Sequence, residues 1–286
     1  MTGVETRRLG PDSLTWRYFG DYRLVLLGPR AALLQNMLPE LGQAVLDHSV
    51  FFADTLGRLR RSVPPILNTV YGGPRAGESG RTVRDFHTEI KGELPDGRRY
   101  HALTPEVYFW AHATFFDQLR EGIQRFVRPL DRAEQERLYE ESKIWYRLYG
   151  VSDRPMPETL DEFDRYWDRM LREELVAHKT AKYGIGYATK GIPRPPKVPG
   201  PVWAVVRRPL NHVARLLSVG GLPERAREIL DLPWTDRDER SYQRVAAAVR
   251  ALAPLWDRLP MKARYISVAH RAFAREAQPD SVTPAH

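Results

Sequence analysis

Cysteine is absent from the chain. That single gap excludes a disulfide framework, a thiolate nucleophile, a cysteine zinc site and a cysteine-ligated iron–sulfur cluster. Long apolar runs are missing too. The longest stretch without a charged residue is the 13 residues 62–74, and Pro64 and Pro65 interrupt it. A spanning helix needs about 20 consecutive apolar residues, so none is expected. Arg7 and Arg8 stand where a secretory leader would need its apolar centre, and the expected location is cytoplasmic, with peripheral membrane contact the alternative.

Acidic residues are scarce in one region. Between 179 and 227, ten Lys and Arg face one acid, Glu224, a net of +9 against +8 for the whole chain. The same window holds Tyr183, Tyr187 and Trp203 and a proline-rich run at 192–201. Such a segment suits an anionic lipid surface or a phosphate backbone. Its simplest reading is a solvated loop, with a membrane surface second. No nucleic-acid motif accompanies the charge, and no nucleic-acid partner is expected.

What is present is the punctuation of a helical protein. At 286 residues, 42% hydrophobic and 28% charged, the chain is in the globular range and long enough for a large core. Thr104 before Pro105 opens a helix running from about 105 to the mid-120s, with Val107, Ala111, Phe115 and Leu119 at helical spacing. Asp131 with Glu134, and Thr159 with Glu162, have capping-box spacing ahead of two more long helices. Thr235 opens another through Val245, Val249, Leu252 and Leu255, and Pro260 one more through Ile266 and Phe273. The one strand signal is a short hairpin turning at Asp96-Gly97. The expected fold is mostly α, a single large helical-bundle domain with at most a short β-hairpin. Residues 1–20 read as an extension, 21–275 as the domain with a proline-rich basic loop at 190–202, and 276–286 as a flexible tail.

Several standard sites fail on spacing. Gly77-Glu78-Ser79-Gly80 is no nucleophile elbow, Gly184 and Gly186 lack the third glycine of a dinucleotide loop, and no phosphate loop is present. A carboxylate-bridged di-iron bundle needs Glu three residues before His, and the residues so placed before His48, His87, His112 and His178 are Val45, Arg84, Phe109 and Leu175. Histidines in apolar company remain. His87 follows Val83 by four residues on a helix whose inward stripe reads Val83, Phe86, Ile90, and a buried neutral imidazole is a good iron ligand. His112 lies in the aromatic run 108–116. For either one, a core histidine bonded to a carbonyl is the blander reading. Arg58 and Arg61 share a helix face and can converge on one carboxylate or propionate, or form a solvated basic face.

A wider pattern joins these residues. Residues 35–39 (Gln-Asn-Met-Leu-Pro), Asp47-His48-Ser49, Arg58 to Ser62 (Arg-Leu-Arg-Arg-Ser), Val70-Tyr71-Gly72, Val83-Arg84 with His87 and Gly92, Asp96-Gly97 with Tyr100, Trp110-Ala-His112-Ala-Thr114 and Leu222-Pro223 follow one another in an order and spacing that resembles the rubber oxygenase catalytic domain and the endoplasmic-reticulum-bound oxygenase of mycophenolic acid biosynthesis. The resemblance runs from about residue 21 to beyond 260. It implies a mostly helical protein that binds haem b and uses dioxygen as co-substrate to cleave a C=C bond in an apolar isoprenoid chain.

Residue by residue, the resemblance makes His87 the axial ligand of the haem iron and places Arg58 near the haem. Ser62 stands where relatives more often carry threonine. Arg61 falls where rubber oxygenases have a lysine that can ligate the iron. A guanidinium stays protonated and has no lone pair to give, so that ligand is not expected here and rubber is disfavoured as substrate. Arg58, Arg61 and Ser62 are therefore the expected catalytic group, and His87, Arg58, His112 and Thr114 the expected cofactor-binding group. Phe51, Phe52, Phe115 and Phe116 are expected to line an apolar pocket, with Asp47, His48 and Asp54 near it in sequence as candidates for a base. Two other readings stay open: a haem or apolar-ligand carrier without turnover, and a cofactor-less helical interaction domain.

Overall fold

A computed structural model describes residues 8–48 and 55–277, with the side chains of 55–61 outside the description. Its first helix, α1 (Leu14–Phe19), starts where the Ser13 hydroxyl accepts from the Trp16 amide, and it buries Leu14, Thr15, Trp16 and Tyr18. The buried Glu141 carboxylate accepts the amides of Leu14 and Thr15 at 3.0 and 2.7 Å, filling orphan donors that a helix start leaves open. The described part of the expected extension, residues 8–20, thus contributes to the core, since Trp16 is fully buried; residues 1–7 lie outside the described residues. A 3-10 turn, Tyr22–Leu27, leads to α2 (Arg30–Met37), α3 (Pro39–His48), α4 (Thr55–Tyr71) and α5 (Ala76–Asp85).

The expected hairpin follows. Strands β1 (Lys91–Glu93) and β2 (Arg99–His101) pair antiparallel with Gly92 opposite Tyr100. Gly97 takes a positive φ of 86° in the turn, a conformation glycine adopts without penalty. Its position over α3 is fixed by two bonds: Tyr100 Oη donates to Asp47 at 2.7 Å, and His48 Nε2 bonds the Lys91 carbonyl at 2.9 Å.

The centre is α6 (Pro105–Phe126), whose Trp110, Ala113, Phe116, Ile123 and Phe126 are fully buried. Around it pack α1, α2, α7 (Arg132–Arg147) and a later helix over Asp236–Ala251. The α7 and α8 (Leu160–Arg169) helices each begin on the expected capping box, and α8 runs into a π-helical turn over 170–174. Phe116 meets Phe163 of α8 edge-on at 4.8 Å, a favoured aromatic geometry.

Short helices α9 (Lys179–Gly184) and α10 (Gly186–Lys190) precede α11 (Gly200–Gly220), α12 (Glu224–Ile229) and α13 (Asp236–Ala251). The basic window is therefore mainly helical, and the proline-rich loop ends at Pro199, the N-cap of α11. The C-terminal half of α11 is tied inward by Arg30, whose guanidinium donates to the Gly221 carbonyl and pairs with Asp117 at 2.6 Å, both charges buried.

Beyond α13, with its Thr235 capping box, come α14 (Ala253–Trp256), α15 (Met261–Arg264) and α16 (Ser267–Glu276). The expected helix through Leu255 stops at Leu252, and the one from Pro260 is broken at Tyr265. Tyr265 is extended because it bridges to Asp21, and Ile266 N donates to the Gly20 carbonyl at 3.0 Å. The described structure is 69% helical with one two-stranded hairpin, a mostly α fold as expected. Among the described residues no helix is long and apolar enough to cross a membrane.

Candidate functional site

A cavity of about 510 Å³ lies among α2, α3, α4, α5, α6 and the hairpin, within the roughly 300–1,000 Å³ typical of small-molecule and cofactor sites. Leu41, Val45, Ile66, Val83, Ile90 and Phe115 give it an apolar wall. Polar groups are few: Gln35, Asn36, His48, Ser62, His87, Tyr108, His112 and Tyr149. Both sequence-selected histidines and Ser62 therefore border one space.

His87 is reached differently from the expectation. Helix α5 ends at Asp85, and His87 sits in the turn that follows, its amide donating to Arg84 O at 2.9 Å. Phe86, read as part of an inward stripe, is 63% exposed, although it borders the cavity. The ring of His87 is half-buried and meets Tyr108 edge-on at 5.8 Å. Its Nδ1 lies 2.7 Å from the Val83 carbonyl oxygen. A carbonyl only accepts, so Nδ1 carries the proton and, in the neutral ring, Nε2 carries the lone pair. Such a bond fixes the orientation of a ligating imidazole and raises its basicity.

His112 is almost wholly buried, with its ring 4.8 Å from Trp145 and 5.0 Å from Tyr146. Burial pushes its pKa down to about 3, outweighing the opposing influence of the Ser142 backbone. The ring is neutral. Its Nε2 bonds Ser142 Oγ at 2.9 Å, and Nδ1 is a buried atom with no hydrogen-bond partner among the described residues.

Other expected residues fall elsewhere. Thr114 is fully buried but does not border the cavity; it donates to Ala111 O at 2.7 Å and accepts from Gln35 Nε2 at 2.9 Å. It thereby orients Gln35, which does border it. Phe116 belongs to the core under α8, because its helix position turns it a residue past Phe115. Asp47 accepts from Tyr100 Oη and Gln43 Nε2 and does not border the cavity. The backbone of Arg58 and Arg61 lies in α4, one turn and one residue before Ser62, while their side chains, like Phe51, Phe52 and Asp54, lie outside the described residues.

Sequence reasoning did not single out Tyr108 and Tyr149. Both border the cavity, and burial raises both phenols, so they are neutral hydroxyls. Tyr108 precedes His112 by four residues, a helical spacing that carried the signal. Tyr149 had none, since it lies beyond the end of α7 and reaches the wall through the fold.

A family model for the ER-bound oxygenase mpaB/B′ and rubber oxygenase catalytic domain matches residues 16–251. The chain belongs to this oxygenase family. The match begins inside α1 and ends at the last residue of α13, so it takes in every element around the cavity. No curated protein and no solved structure matches the chain significantly.

The haem that the sequence resemblance implies makes demands that the residues present can meet or fail. An apolar wall, one histidine whose Nδ1 is already bonded to a carbonyl, and a second neutral imidazole with an unpartnered buried nitrogen form a donor set suited to a porphyrin iron. Among the described residues no three His, Asp or Glu side chains come together as a protein-only metal site. The residues present fit the group.

Proposed function

We propose that this member of the oxygenase family is haem-b dependent and uses dioxygen to oxidise or cleave a C=C bond in an apolar, isoprenoid or lipid-like substrate. The observation that carries the reading is His87, held by Val83 O at 2.7 Å on the border of a 510 Å³ apolar cavity. When bound, the haem supplies the dioxygen chemistry. The chain supplies the rest. The His87 imidazole would hold the group, its Nδ1–H bond to Val83 O fixing the tautomer of the ring. Leu41, Val45, Ile66 and Phe115 exclude water and receive the apolar substrate. Arg58, whose backbone lies one helical turn before the cavity-bordering Ser62, would supply a cation for a propionate.

One observation favours a second reading, a haem or apolar-ligand carrier. Among the described residues the cavity wall has no carboxylate, ammonium or guanidinium, which leaves the imidazoles of His48 and His87 as the groups there suited to moving a proton. Oxygen consumption by the reduced protein with an alkene separates the two, because a carrier consumes none beyond its own oxidation.

The deciding experiment is the visible spectrum of protein produced with ample haem, with His87→Ala and His112→Ala beside it. The expected result is a Soret band in the wild type, lost or shifted in His87→Ala and retained in His112→Ala. A haem-replete wild type without such a band ends the haem reading and leaves a helical binding domain.

A further inference from the structure

The N-terminal two-thirds of α11 stands out from the body. Of residues 200–213 only Trp203 and Asn211 are even half-buried, so about 21 Å of helix, at 1.5 Å per residue, runs in solvent. This stretch is not polar. Val202, Val205, Val206, Leu210 and Val213 are 51%, 75%, 39%, 42% and 43% exposed. At 100° per residue they fall within an arc of about 140°, and Arg207 and Arg208 lie about 60° beyond its two edges. An exposed apolar stripe flanked on each side by a long cationic chain is the arrangement of a helix lying in a membrane interface, where the stripe enters the acyl boundary and the guanidinium groups rise to the headgroups.

Charge selects the occupant. There is no Asp or Glu between residues 175 and 223. Among the described residues, Lys190, Arg194, Lys197, Arg207 and Arg208 make no ion pair, whereas Arg215, further along the same helix, is paired with Asp238 at 2.9 Å. A second copy of this chain would bring the same positive face against itself and be repelled. A nucleic acid would use the cations and leave the valines in water. We infer that the exposed face of α11 is a docking surface for an anionic lipid bilayer, with Val202, Val205, Val206, Leu210 and Val213 as the inserting stripe and Arg207 and Arg208 as its headgroup contacts. The inference is independent of haem.

The test is co-sedimentation of the full chain with vesicles of phosphatidylglycerol and phosphatidylcholine in equal parts, and with phosphatidylcholine alone. The wild type is expected to pellet with the anionic vesicles only, and less so at high salt. A cation near an anionic surface is worth about fivefold in partitioning, so Arg207→Glu with Arg208→Glu should weaken binding at least tenfold. Val205→Asp with Leu210→Asp should do the same with the far-UV spectrum and melting temperature unchanged. Arg237→Glu with Arg240→Glu makes the same change in net charge on the exposed face of α13 and should alter binding less than threefold. Failure of the wild type to bind anionic vesicles, or equal loss in the α13 variant, overturns the inference. So does a concentration-dependent dimer abolished by Val205→Asp with Leu210→Asp, or RNA binding that this variant leaves intact.

Discussion

His112 is the residue at which the interior chemistry of this protein is most directly measurable. Its folded pKa of about 3 lies below the ordinary 6.5 because burial penalises the imidazolium. Between those values the unfolded chain binds a proton that the folded chain refuses, so folding stability falls as pH drops below 6.5 and is complete above it. The expected loss from this group is about 1 kcal/mol between pH 7 and 5.5. His112→Leu should remove that slope while leaving the carboxylate contribution at lower pH, and urea unfolding of both proteins at the two pH values checks it. A wild-type slope equal to that of the variant would mean that the ring is hydrated or protonated in the folded state.

The two histidines also differ in how they were legible. The aromatic run around His112 states its burial in sequence, and burial is what the structure shows. His87 was placed correctly beside the apolar position Val83, yet for a partly mistaken reason, because the helix does not continue through it. What brings it to the cavity is the turn after Asp85 and the Nδ1 bond to Val83 O, and neither has a residue-type signature.

At the scale of single elements, helix starts were the most readable feature, since a cap is settled by a few neighbouring residues. The boxes at Asp131, Thr159 and Thr235 all form, each with the reciprocal side-chain bond. Thr104 does not behave like them: it occupies the N-cap of α6, but its side chain makes no capping bond, and Pro105 already fits the first turn without an amide to satisfy. The two threonines should therefore separate on mutation. Thr159→Ala is expected to cost about 1 kcal/mol, and Thr104→Ala no more than about 0.5 kcal/mol, measured by urea denaturation against the wild type. Equal costs would show that the bond in the α8 box adds nothing. Helix α11 was read instead as part of a basic loop. Prolines crowd its approach and Pro209 lies inside it, ordinarily a helix breaker. Pro209 is tolerated there because the segment is exposed, so water can take the carbonyl that the proline leaves unbonded.

For the molecule as a whole, the least legible feature is how its ends are used. Six residues of α1 are too few to show a helical period, and the partners that make them core lie far along the chain. Trp16 Nε1 donates to Val70 O at 2.7 Å and its ring meets Phe273 of α16 edge-on at 5.6 Å. Tyr71 Oη donates to the Trp16 carbonyl at 2.8 Å and accepts from the Gly20 amide at 2.7 Å, while Tyr265 Oη donates to Arg17 O at 2.9 Å. Helix α1 is thus the piece against which α4, α7 and α16 close, and α4 carries Ser62 to the cavity. A chain beginning at residue 21 should lose cooperative unfolding, because it leaves the Glu141 carboxylate and an aromatic-sized void without partners. Within the full chain, Trp16→Ala should destabilise by about 3–5 kcal/mol, and Arg17→Ala, whose side chain is exposed, by no more than about 0.5 kcal/mol. Calorimetric melting of the three proteins makes the comparison. A truncated chain that melts in one sharp transition near the wild-type temperature would show that the bundle closes without α1, and that residues 1–20 are an extension after all.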